Sequence, residues 1–423
     1  MSLQQKPSIV IIGGGIIGCT TAYYLSQRAG YQITLLEASK RGAAQGASGK
    51  AGGLVAKWAY PKELVSVSFR EHVALAEKLD GTFRWGWRYV NCGSWEGEGE
   101  EPEEETKEVG GNGRKLKKKS LEKTRGLMDG GVKQNAKGRR KEMGFPGDLT
   151  WISEDLTKSY SPMAPAGDTA QIYPYEFTSS MLELACSNGV EFRAGRATSI
   201  KIDGHTADGL GPKITGVEYH DPTTGTTKTL QCSHVILAAG AWSPTLLPQD
   251  DLPISPTRAH SIVLNPSDND AISPYVLFTD IKLPSTPDGR STDASPEIYA
   301  RPNNQVYACG PGDDSPLPDT VDDVKVDREA CDNIQRHVSS ISKQLRRAEV
   351  VKRQACFLPY VSSGGGPIIG EAKKIARGLI IAAGHICWGI CNAPGTAKAI
   401  SELVECGEIR CADLKKLHPS RFL

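Results

Sequence analysis

The apolar residues of the chain form short runs that end in glycine or an acidic residue, separated by longer amphipathic stretches. Residues 8–12 form one such run, and residues 32–36 form a second one that ends before Glu37. The residues between the two runs have the apolar spacing of a helix. Short β-branched runs bounded by glycine are typical of buried strands, so this pattern predicts a βαβ unit.

Elements of the same kind recur in separated parts of the sequence. Residues 234–239 and 378–383 are apolar runs that end in glycine, and both are predicted to be buried strands. Residues 178–188 and 395–406 have helical patterns. Because these elements lie far apart along the chain, we expect a nucleotide-binding domain that is discontinuous in sequence.

We predict an α/β fold with two domains. The first is a discontinuous Rossmann-type domain made of residues 1–58, 170–245 and 346–423. The second is an α+β substrate domain with an antiparallel sheet, made of residues 59–169 and 246–345. A chain of 423 residues is long enough to build a core for each domain.

One stretch has a composition unlike the rest of the chain. Residues 96–108 are mostly glutamate and glycine, and residues 114–141 are rich in lysine, arginine and glycine. Few apolar residues are available there to build a core, so we predict that residues 96–143 form a flexible charged insertion. A docking loop for a protein partner is the alternative interpretation.

The turn after the first predicted strand has the sequence Gly13-Gly14-Gly15-Ile16-Ile17-Gly18. In this pattern Gly13 permits a tight turn, Gly15 lets a pyrophosphate approach the backbone, and Gly18 lets the helix pack closely on the strand. The free N–H groups and the dipole at the helix N-terminus attract phosphate. A carboxylate at Glu37 can accept hydrogen bonds from both ribose hydroxyls and would repel a 2′-phosphate. The unit predicts a dinucleotide site and leaves both FAD and NAD open.

A second segment of small residues, residues 46–54, follows the acidic residue. Such a loop can wrap a second phosphate and pass beneath a flat ring, although an ordinary surface loop is the alternative. The sequence contains no second glycine fingerprint between a strand and a helix. We therefore expect electrons to enter from an organic substrate rather than from NAD(P)H.

The net charge, the apolar runs and the spacing of the cysteines indicate which binding partners and which cellular location to expect. The formal net charge is +1, from 50 basic and 49 acidic residues, which gives no reason to expect a nucleic-acid partner. No apolar run approaches the ~20 residues that span a bilayer, and the polar first residues are not a secretory signal. The 11 cysteines are scattered and form no zinc-binding pattern, so we expect no metal and a cytoplasmic location.

Four stretches, in order along the chain, carry a family resemblance. They are residues 9–49, Ile172-Tyr173-Pro174-Tyr175, residues 235–243 and residues 366–406. On these stretches the chain resembles the D-amino acid oxidase-like (DAO) family of FAD-dependent amine oxidoreductases, which includes sarcosine oxidase and glycine oxidase. Within that family it is most similar to fungal proteins classed as oxidoreductases by similarity, some of which are linked to endosomal traffic.

The resemblance implies FAD as the cofactor and a set of residues that contact it. The set is Gly13, Gly14, Gly15, Ile16, Ile17, Gly18, Glu37, Ala38, Ser48, Gly49, Gly52, Gly53, Leu54, Ala239, Gly240, Trp242, Gly384, His385 and Gly389. Gly384 and Gly389 would open a turn, and the helix through Gly395 would point its N-terminus at the flavin and stabilise the negative charge of the reduced ring.

The resemblance also implies residues on the substrate side. Arg301 lies where some relatives hold a substrate carboxylate, and His385 and Trp388 lie where they could face the flavin. Cys356 stands where sarcosine oxidase-like members attach flavin covalently, but we expect a noncovalent cofactor because buried cysteines are often simply packed. The family often has an aspartate shortly before Pro367, and this sequence has serines and glycines there.

The resemblance implies oxidation of the C–N bond of an amine or amino acid, with hydride transfer to the flavin and oxygen as the electron acceptor. One alternative is a flavin-binding protein with a regulatory or membrane-trafficking role, peripherally associated with endosomes, and little turnover. Another is a dehydrogenase that passes its electrons to a quinone or to a protein.

Overall fold

The computed structural model describes residues 7–100, 144–204, 209–247, 252–284 and 293–423. Within these ranges, no helix combines the length and the apolar character that a membrane crossing requires.

The strands are β1 (Ser8–Ile12), β2 (Gln32–Glu37), β3 (Leu54–Ala56), β4 (Arg88–Tyr89), β5 (Asn91–Glu98), β6 (Thr157–Pro162), β7 (Thr169–Gln171), β8 (Glu191–Ala194), β9 (Arg196–Asp203), β10 (Lys213–Asp221), β11 (Thr226–Gln231), β12 (His234–Leu237), β13 (Ile254–Asn265), β14 (Tyr275–Lys282), β15 (Asp293–Ala294), β16 (Glu297–Ala300), β17 (Val306–Cys309), β18 (Glu349–Val361), β19 (Ile368–Glu371) and β20 (Leu379–Ala383).

The α-helices are α1 (Ile16–Ser26), α2 (Ala47–Lys50), α3 (Lys62–Lys78), α4 (Gly81–Trp85), α5 (Pro174–Ser187), α6 (Arg328–Ser339), α7 (Lys343–Arg347) and α8 (Gly389–Cys406). Short 3₁₀ helices cover Glu154–Leu156, Gly240–Leu246, Val321–Asp323, Ile386–Trp388, Lys415–Leu417 and Pro419–Arg421.

The first sheet has the strand order β19-β20-β12-β1-β2-β8, and its pairs are parallel except for β19 with β20. Its central strands are buried except at the first residues of β1 and β12, as expected for a parallel sheet that is covered on both faces. Helix α1 packs between α5 and α8 on one face. The small antiparallel sheet of β9, β10 and β11 shares a hydrophobic core with the other face. The predicted βαβ unit and the buried strands near residues 234 and 378 are therefore confirmed.

The second sheet has the order β18-β13-β17-β16-β14-β5-β6 and is antiparallel except where β5 pairs with β14. One face packs against α6, which inserts Cys331, Ile334 and Val338 into a core with sheet residues. The other face turns Tyr299 and Tyr307 toward the first sheet and its helices. The molecule is thus a mixed α/β structure with a Rossmann-type sheet and a second, mainly antiparallel sheet.

The strand pairing shifts one of the predicted domain limits. We assigned residues 346–423 to the nucleotide-binding domain, but β18 pairs along its length with β13 of the antiparallel sheet. The chain crosses to the first sheet only after Val361. The strand β18 is polar and partly exposed at its start and buried from residue 355 to residue 358, and this local pattern does not reveal which sheet it joins.

The predicted insertion, residues 96–143, lies mostly outside the described residues. Its first part is described, and there Glu96 and Glu98 belong to β5 and pair in register with Asp280 and Lys282 of β14. The sheet therefore continues to Glu98, past the limit that the change of composition suggested.

Candidate cofactor and substrate site

The glycine-rich turn joins β1 to the N-terminus of α1. Gly13 has a φ of +114°, and its N–H donates to the carbonyl of Leu36 at 2.9 Å. A Cβ atom on Gly13 would lie 2.4 Å from the Ala238 carbonyl oxygen, and one on Gly18 would lie 1.9 Å from the Gly13 carbonyl oxygen. Only glycine therefore permits this close approach of strand, turn and helix.

The acidic residue at the end of β2 organises the turn. The Gly14 N–H donates to Glu37 Oε2 at 2.6 Å, and the Ser39 N–H donates to Oε1 at 2.7 Å. Burial raises the pKa of the Glu37 carboxyl group, while the two backbone donors act in the opposite direction. Each carboxylate oxygen keeps a second lone pair, so Glu37 can still accept hydrogen bonds from a ribose.

The N-terminus of α1 lies beside α2, and Ile16 and Ser48 of these two helices line a common cavity. Gly15 is the N-cap residue, and the first turn of α1 contains no acidic side chain. The Ile16 N–H donates to the Ser48 hydroxyl oxygen at 2.9 Å. The remaining first-turn N–H groups and the helix dipole suit a phosphate, because a helix terminus leaves them without intrahelical partners.

A cavity opens between this region and the antiparallel sheet. One wall, here called the backbone wall, comes from the glycine-rich turn with Glu37 beside it, α1, α2, the segment after it and the start of α8. The residues of this wall that line the cavity are Ile16, Ala47, Ser48, Lys50, Ala51, Gly52, Gly53, Leu54, Ile386, Cys387, Trp388, Gly389 and Ile390. The opposite wall, here called the sheet wall, contains Ala259, Glu297, Tyr299, Tyr307, Cys309, Cys356 and Leu358. The walls come close at Gly52, where a Cβ atom would lie 2.8 Å from Cε1 of Tyr299.

The structure brings together part of the predicted cofactor set in this cavity. Ile16, Ser48, Gly52, Gly53, Leu54 and Gly389 line it. Gly13, Ala38, Ala239 and Gly384 follow the neighbouring strands β1, β2, β12 and β20, so all four lie at the same edge of the sheet. That edge is where open α/β sheets bind their ligands.

The segment after β12 has other contacts. Gly240 has a φ of +54° and begins a 3₁₀ helix. The Trp242 indole N–H donates to the Pro318 carbonyl at 2.7 Å, and its ring packs edge-on against Phe357. None of these residues lines the cavity, so their predicted contact with the cofactor stays a prediction.

Trp388 lies on the cavity wall, and its ring packs edge-on against Trp58 with centroids 5.6 Å apart. Its buried indole N–H has no acceptor among the described residues. His385 instead points behind the wall, where Nε2 lies 3.1 Å from the Thr396 hydroxyl. Burial lowers the pKa of His385 to about 3, so the ring is neutral near pH 7.

Arg301 lies between the two walls rather than on the cavity surface. Its guanidinium donates to the Ala51 carbonyl at 2.5 Å and stacks over Tyr307, with 4.7 Å from Cζ to the ring centroid. Burial lowers the pKa of Arg301. The contacts indicate that Arg301 holds the small-residue loop against the sheet wall, and its predicted contact with substrate stays a prediction.

The acidic centre of the sheet wall was not predicted from the sequence. Glu297 and Tyr299 alternate along β16, and they pair with Cys309 and Tyr307 of β17, so the four side chains share one face. Polar residues two apart in a short, otherwise apolar strand were the available signal. Lys50 was not predicted either, and its Nζ donates to the Ala355 carbonyl at 2.9 Å.

Cys356 lies on the sheet wall and is buried. Burial raises the pKa of its thiol to about 11, and the nearby charge of Lys50 acts in the opposite direction. The thiol is therefore protonated near pH 7, and it is the thiolate that reacts as a nucleophile.

A glycine turn at the carboxyl edge of a parallel sheet, facing a cavity under an antiparallel sheet, defines a dinucleotide-dependent oxidoreductase fold. Residues 8–403 match the sequence model of the DAO family, described as FAD dependent oxidoreductase. The chain therefore belongs to this family of FAD-dependent oxidoreductases, and the resemblance predicted from its motifs is confirmed.

Individual relatives agree with this assignment. The chain is 31% identical to "Putative oxidoreductase TDA3" of Saccharomyces cerevisiae, over 99% of this chain and 95% of that protein. It is 29% identical to "Putative oxidoreductase C1F5.03c" of Schizosaccharomyces pombe, over the whole of both chains. Among solved structures, glycine oxidase from Geobacillus kaustophilus superposes with a TM-score of 0.68 at 17% identity, covering 99% of this chain and 100% of that one. At that identity the likeness concerns the fold.

Proposed function

We propose that this protein oxidises the C–N bond of an amine or amino acid, with FAD as the hydride acceptor and oxygen as the final electron acceptor. The observation that carries the proposal is the cavity, in which the backbone wall suits a dinucleotide and the sheet wall presents polar side chains across from it. The similarity in fold to glycine oxidase supports the choice of an amine.

The residues of the backbone wall fit FAD. The turn at Gly13 and Gly18 has room for backbone only, and Glu37 has carboxylate oxygens beside the turn for a ribose. The α1 N-terminus would hold the pyrophosphate, and the loop at Gly52 would lie along the ring. The N-terminus of α8, whose first turn has no acidic residue, would favour negative charge at the ring.

When bound, FAD would accept a hydride from the carbon next to an amine nitrogen. The imine that remains of the substrate hydrolyses in water. The chain itself orients the substrate and excludes water. Leu54, Trp388 and Leu358 make parts of both walls apolar. The Trp388 N–H is a donor for a substrate oxygen, and a neutral His385 adds no positive charge behind the wall.

The buried thiol of Cys356 supports a noncovalent cofactor. We also keep as proposals a cytoplasmic location, with peripheral association with endosomes as the alternative, and a small-molecule substrate as the main partner. Two other candidate functions differ from the proposal in the reactions of the flavin. In a flavin-binding protein with little turnover, no amine would reduce the flavin, and in a dehydrogenase with another acceptor, oxygen would not rapidly reoxidise it.

The experiment is an anaerobic titration of the purified holoprotein with a panel of amines and amino acids, followed by visible absorbance. Bleaching of the flavin band by one of them supports amine oxidation, and rapid return of the band on admitting air supports oxygen as the acceptor. A flavin that no amine bleaches would contradict the proposal and favour the binding protein.

A further inference from the structure

The sheet wall contains a carboxylate without a counter-charge. Glu297 is 3% exposed, in the middle of the antiparallel sheet, and it lines the cavity. Its Oε2 accepts a hydrogen bond from the Tyr299 hydroxyl at 2.6 Å and lies 3.7 Å from Cys309 Sγ. Both of these contacts involve the same carboxylate oxygen.

The other oxygen has no partner within the described ranges. Glu297 Oε1 is buried and no donor of the described residues lies within hydrogen-bonding distance of it. The half-buried Glu37, by contrast, is bonded through both of its oxygens, to two backbone N–H groups. A buried carboxylate oxygen without a donor is costly, and the cost is removed when a ligand supplies a donor or a positive charge.

The basic residues near the cavity are already engaged elsewhere. Lys50 donates to the Ala355 carbonyl, and Arg301 donates to Ala51 and stacks over Tyr307. Within the described residues, no lysine or arginine nitrogen lies within 4.0 Å of the Glu297 carboxylate. Both cations therefore bond to neutral carbonyls and not to Glu297, which is the acidic side chain among the residues that line the cavity.

We propose that Glu297 binds a positively charged group of the substrate that is separate from the nitrogen being oxidised. This inference rests on the proposed function and names its substrate class: an aliphatic diamine or polyamine, or an amino acid with a basic side chain. The apolar side chains of Leu54, Leu358 and Ile390 suit the methylene chain between the two nitrogen atoms.

The chemistry separates the two nitrogens. Hydride leaves a carbon whose nitrogen can donate its lone pair, so the reacting amine must be uncharged at that moment. A buried carboxylate would hold an ammonium group in its charged form, because an opposite charge nearby favours ionisation. Glu297 is therefore suited to the second, non-reacting cation and poorly suited to the reacting one.

The experiment compares matched ligands on the FAD-loaded protein under nitrogen. The pairs are 1,4-diaminobutane with 1-aminobutane, and L-lysine with L-norleucine, which differ in the second ammonium group. Binding is measured by perturbation of the flavin spectrum and, independently of turnover, by titration calorimetry. In at least one pair, we expect the ligand with the second ammonium group to bind on the order of tenfold to a hundredfold more tightly than its partner. This is the range for a charged hydrogen bond.

The variant Glu297→Gln keeps the shape of the side chain and removes its charge. It should abolish the preference for the ligand with the second ammonium group. The dissociation constant of the ligand without that group should stay within about twofold of the wild-type value. Glu349→Gln, at an exposed position of the same sheet, is the matched control and should keep the preference. Glu297→Asp, which retains the charge, should keep part of it.

The possible failures are distinguishable. Equal binding within both wild-type pairs, or a preference that survives in Glu297→Gln, overturns the inference even when amines bleach the flavin. Loss of FAD from Glu297→Gln with unchanged ligand preference also overturns it, because the flavin would then be the partner of Oε1. A Glu297-dependent preference without any bleaching supports the cation site and contradicts amine oxidation instead. If Glu297→Gln does not fold, the two wild-type pairs decide the question.

Discussion

The two walls of the cavity recognise their ligands by different means. The backbone wall offers peptide N–H groups, a helix terminus and glycines that leave room for backbone alone. The sheet wall offers side chains, among them the carboxylate of Glu297 and the hydroxyl of Tyr299. A wall built from backbone tolerates little change and suits a cofactor common to a family, whereas a wall built from side chains can change its specificity by single substitutions.

The largest effect is expected on the backbone wall. In Gly15→Glu the new Cβ atom would meet only the Ser48 hydroxyl, at 3.1 Å, so the fold should survive. The carboxylate would lie at the α1 N-terminus, where a like charge about 4 Å from the pyrophosphate costs about 4 kcal/mol, or roughly a thousandfold in affinity. FAD content per folded chain, measured by absorbance after gel filtration, should fall to near zero.

The matched control is Gly147→Glu, because a Cβ atom there meets nothing within 4 Å. It should retain its flavin. Normal FAD content in a folded Gly15→Glu variant would show that the cofactor phosphates bind elsewhere. Gly18→Glu should also lose the flavin, but through loss of helix packing, and therefore together with stability.

Arg301 connects the two walls, and substituting it removes this connection. Arg301→Gln loses the charged hydrogen bond to the Ala51 carbonyl and the stacking over Tyr307, and should lower the free energy of unfolding by about 3 kcal/mol. FAD should also dissociate faster. Arg328→Gln, whose side chain is 84% exposed beside Asp332, should change stability by less than about 0.5 kcal/mol. Equal effects of the two variants would contradict the role assigned to Arg301.

A smaller effect concerns the neutral histidine behind the backbone wall. The pKa of His385 is lowered to about 3 in the folded protein, so the unfolded chain binds its proton first as the pH falls. The stability contribution is complete above about pH 6.5 and is lost between there and about pH 3; at pH 5 the loss is about 2 kcal/mol. The measurement is chemical denaturation at pH 7 and at pH 5. Between these two pH values, the free energy of unfolding of His385→Gln should fall by about 2 kcal/mol less than that of the wild type.

His220→Gln alters an exposed histidine of β10 and serves as the comparison for this measurement. A wild type and a His385→Gln variant that lose equal stability between the two pH values would argue against a buried neutral ring.

The smallest effect is expected on the sheet wall at Cys356. With a protonated thiol, the flavin should be released by acid precipitation, and the intact mass should equal that of the polypeptide. Cys356→Ser should retain FAD and cost about 1 kcal/mol of stability through packing. A mass larger by one FAD would overturn the noncovalent assignment.

The backbone wall was the predictable part of the molecule. Gly13, Gly18 and Glu37 lie within one βαβ unit, so their spacing alone fixes their relative positions. The sheet wall depends on the pairing of strands distant in sequence. Glu297 meets Cys309 only through the register of β16 with β17, and Cys356 joins them through β13. A local pattern does not contain these pairings.

The same reason explains two features that the sequence did not show. The local sequence of β18 does not specify its partner strand, so residues 349–361 were assigned to the nucleotide-binding domain although they pair with the antiparallel sheet. The family resemblance placed Arg301 near a substrate carboxylate and did not show that its long side chain reaches the Ala51 carbonyl, in a segment about 250 residues earlier in the chain.

A crystal structure of the protein loaded with FAD tests the division between the two walls most directly. We predict the pyrophosphate at the N-terminus of α1, the adenosine ribose beside Glu37, and the flavin ring in the cavity between the backbone wall and the sheet wall. A flavin ring outside this cavity, or phosphates away from the glycine turn, would contradict the account.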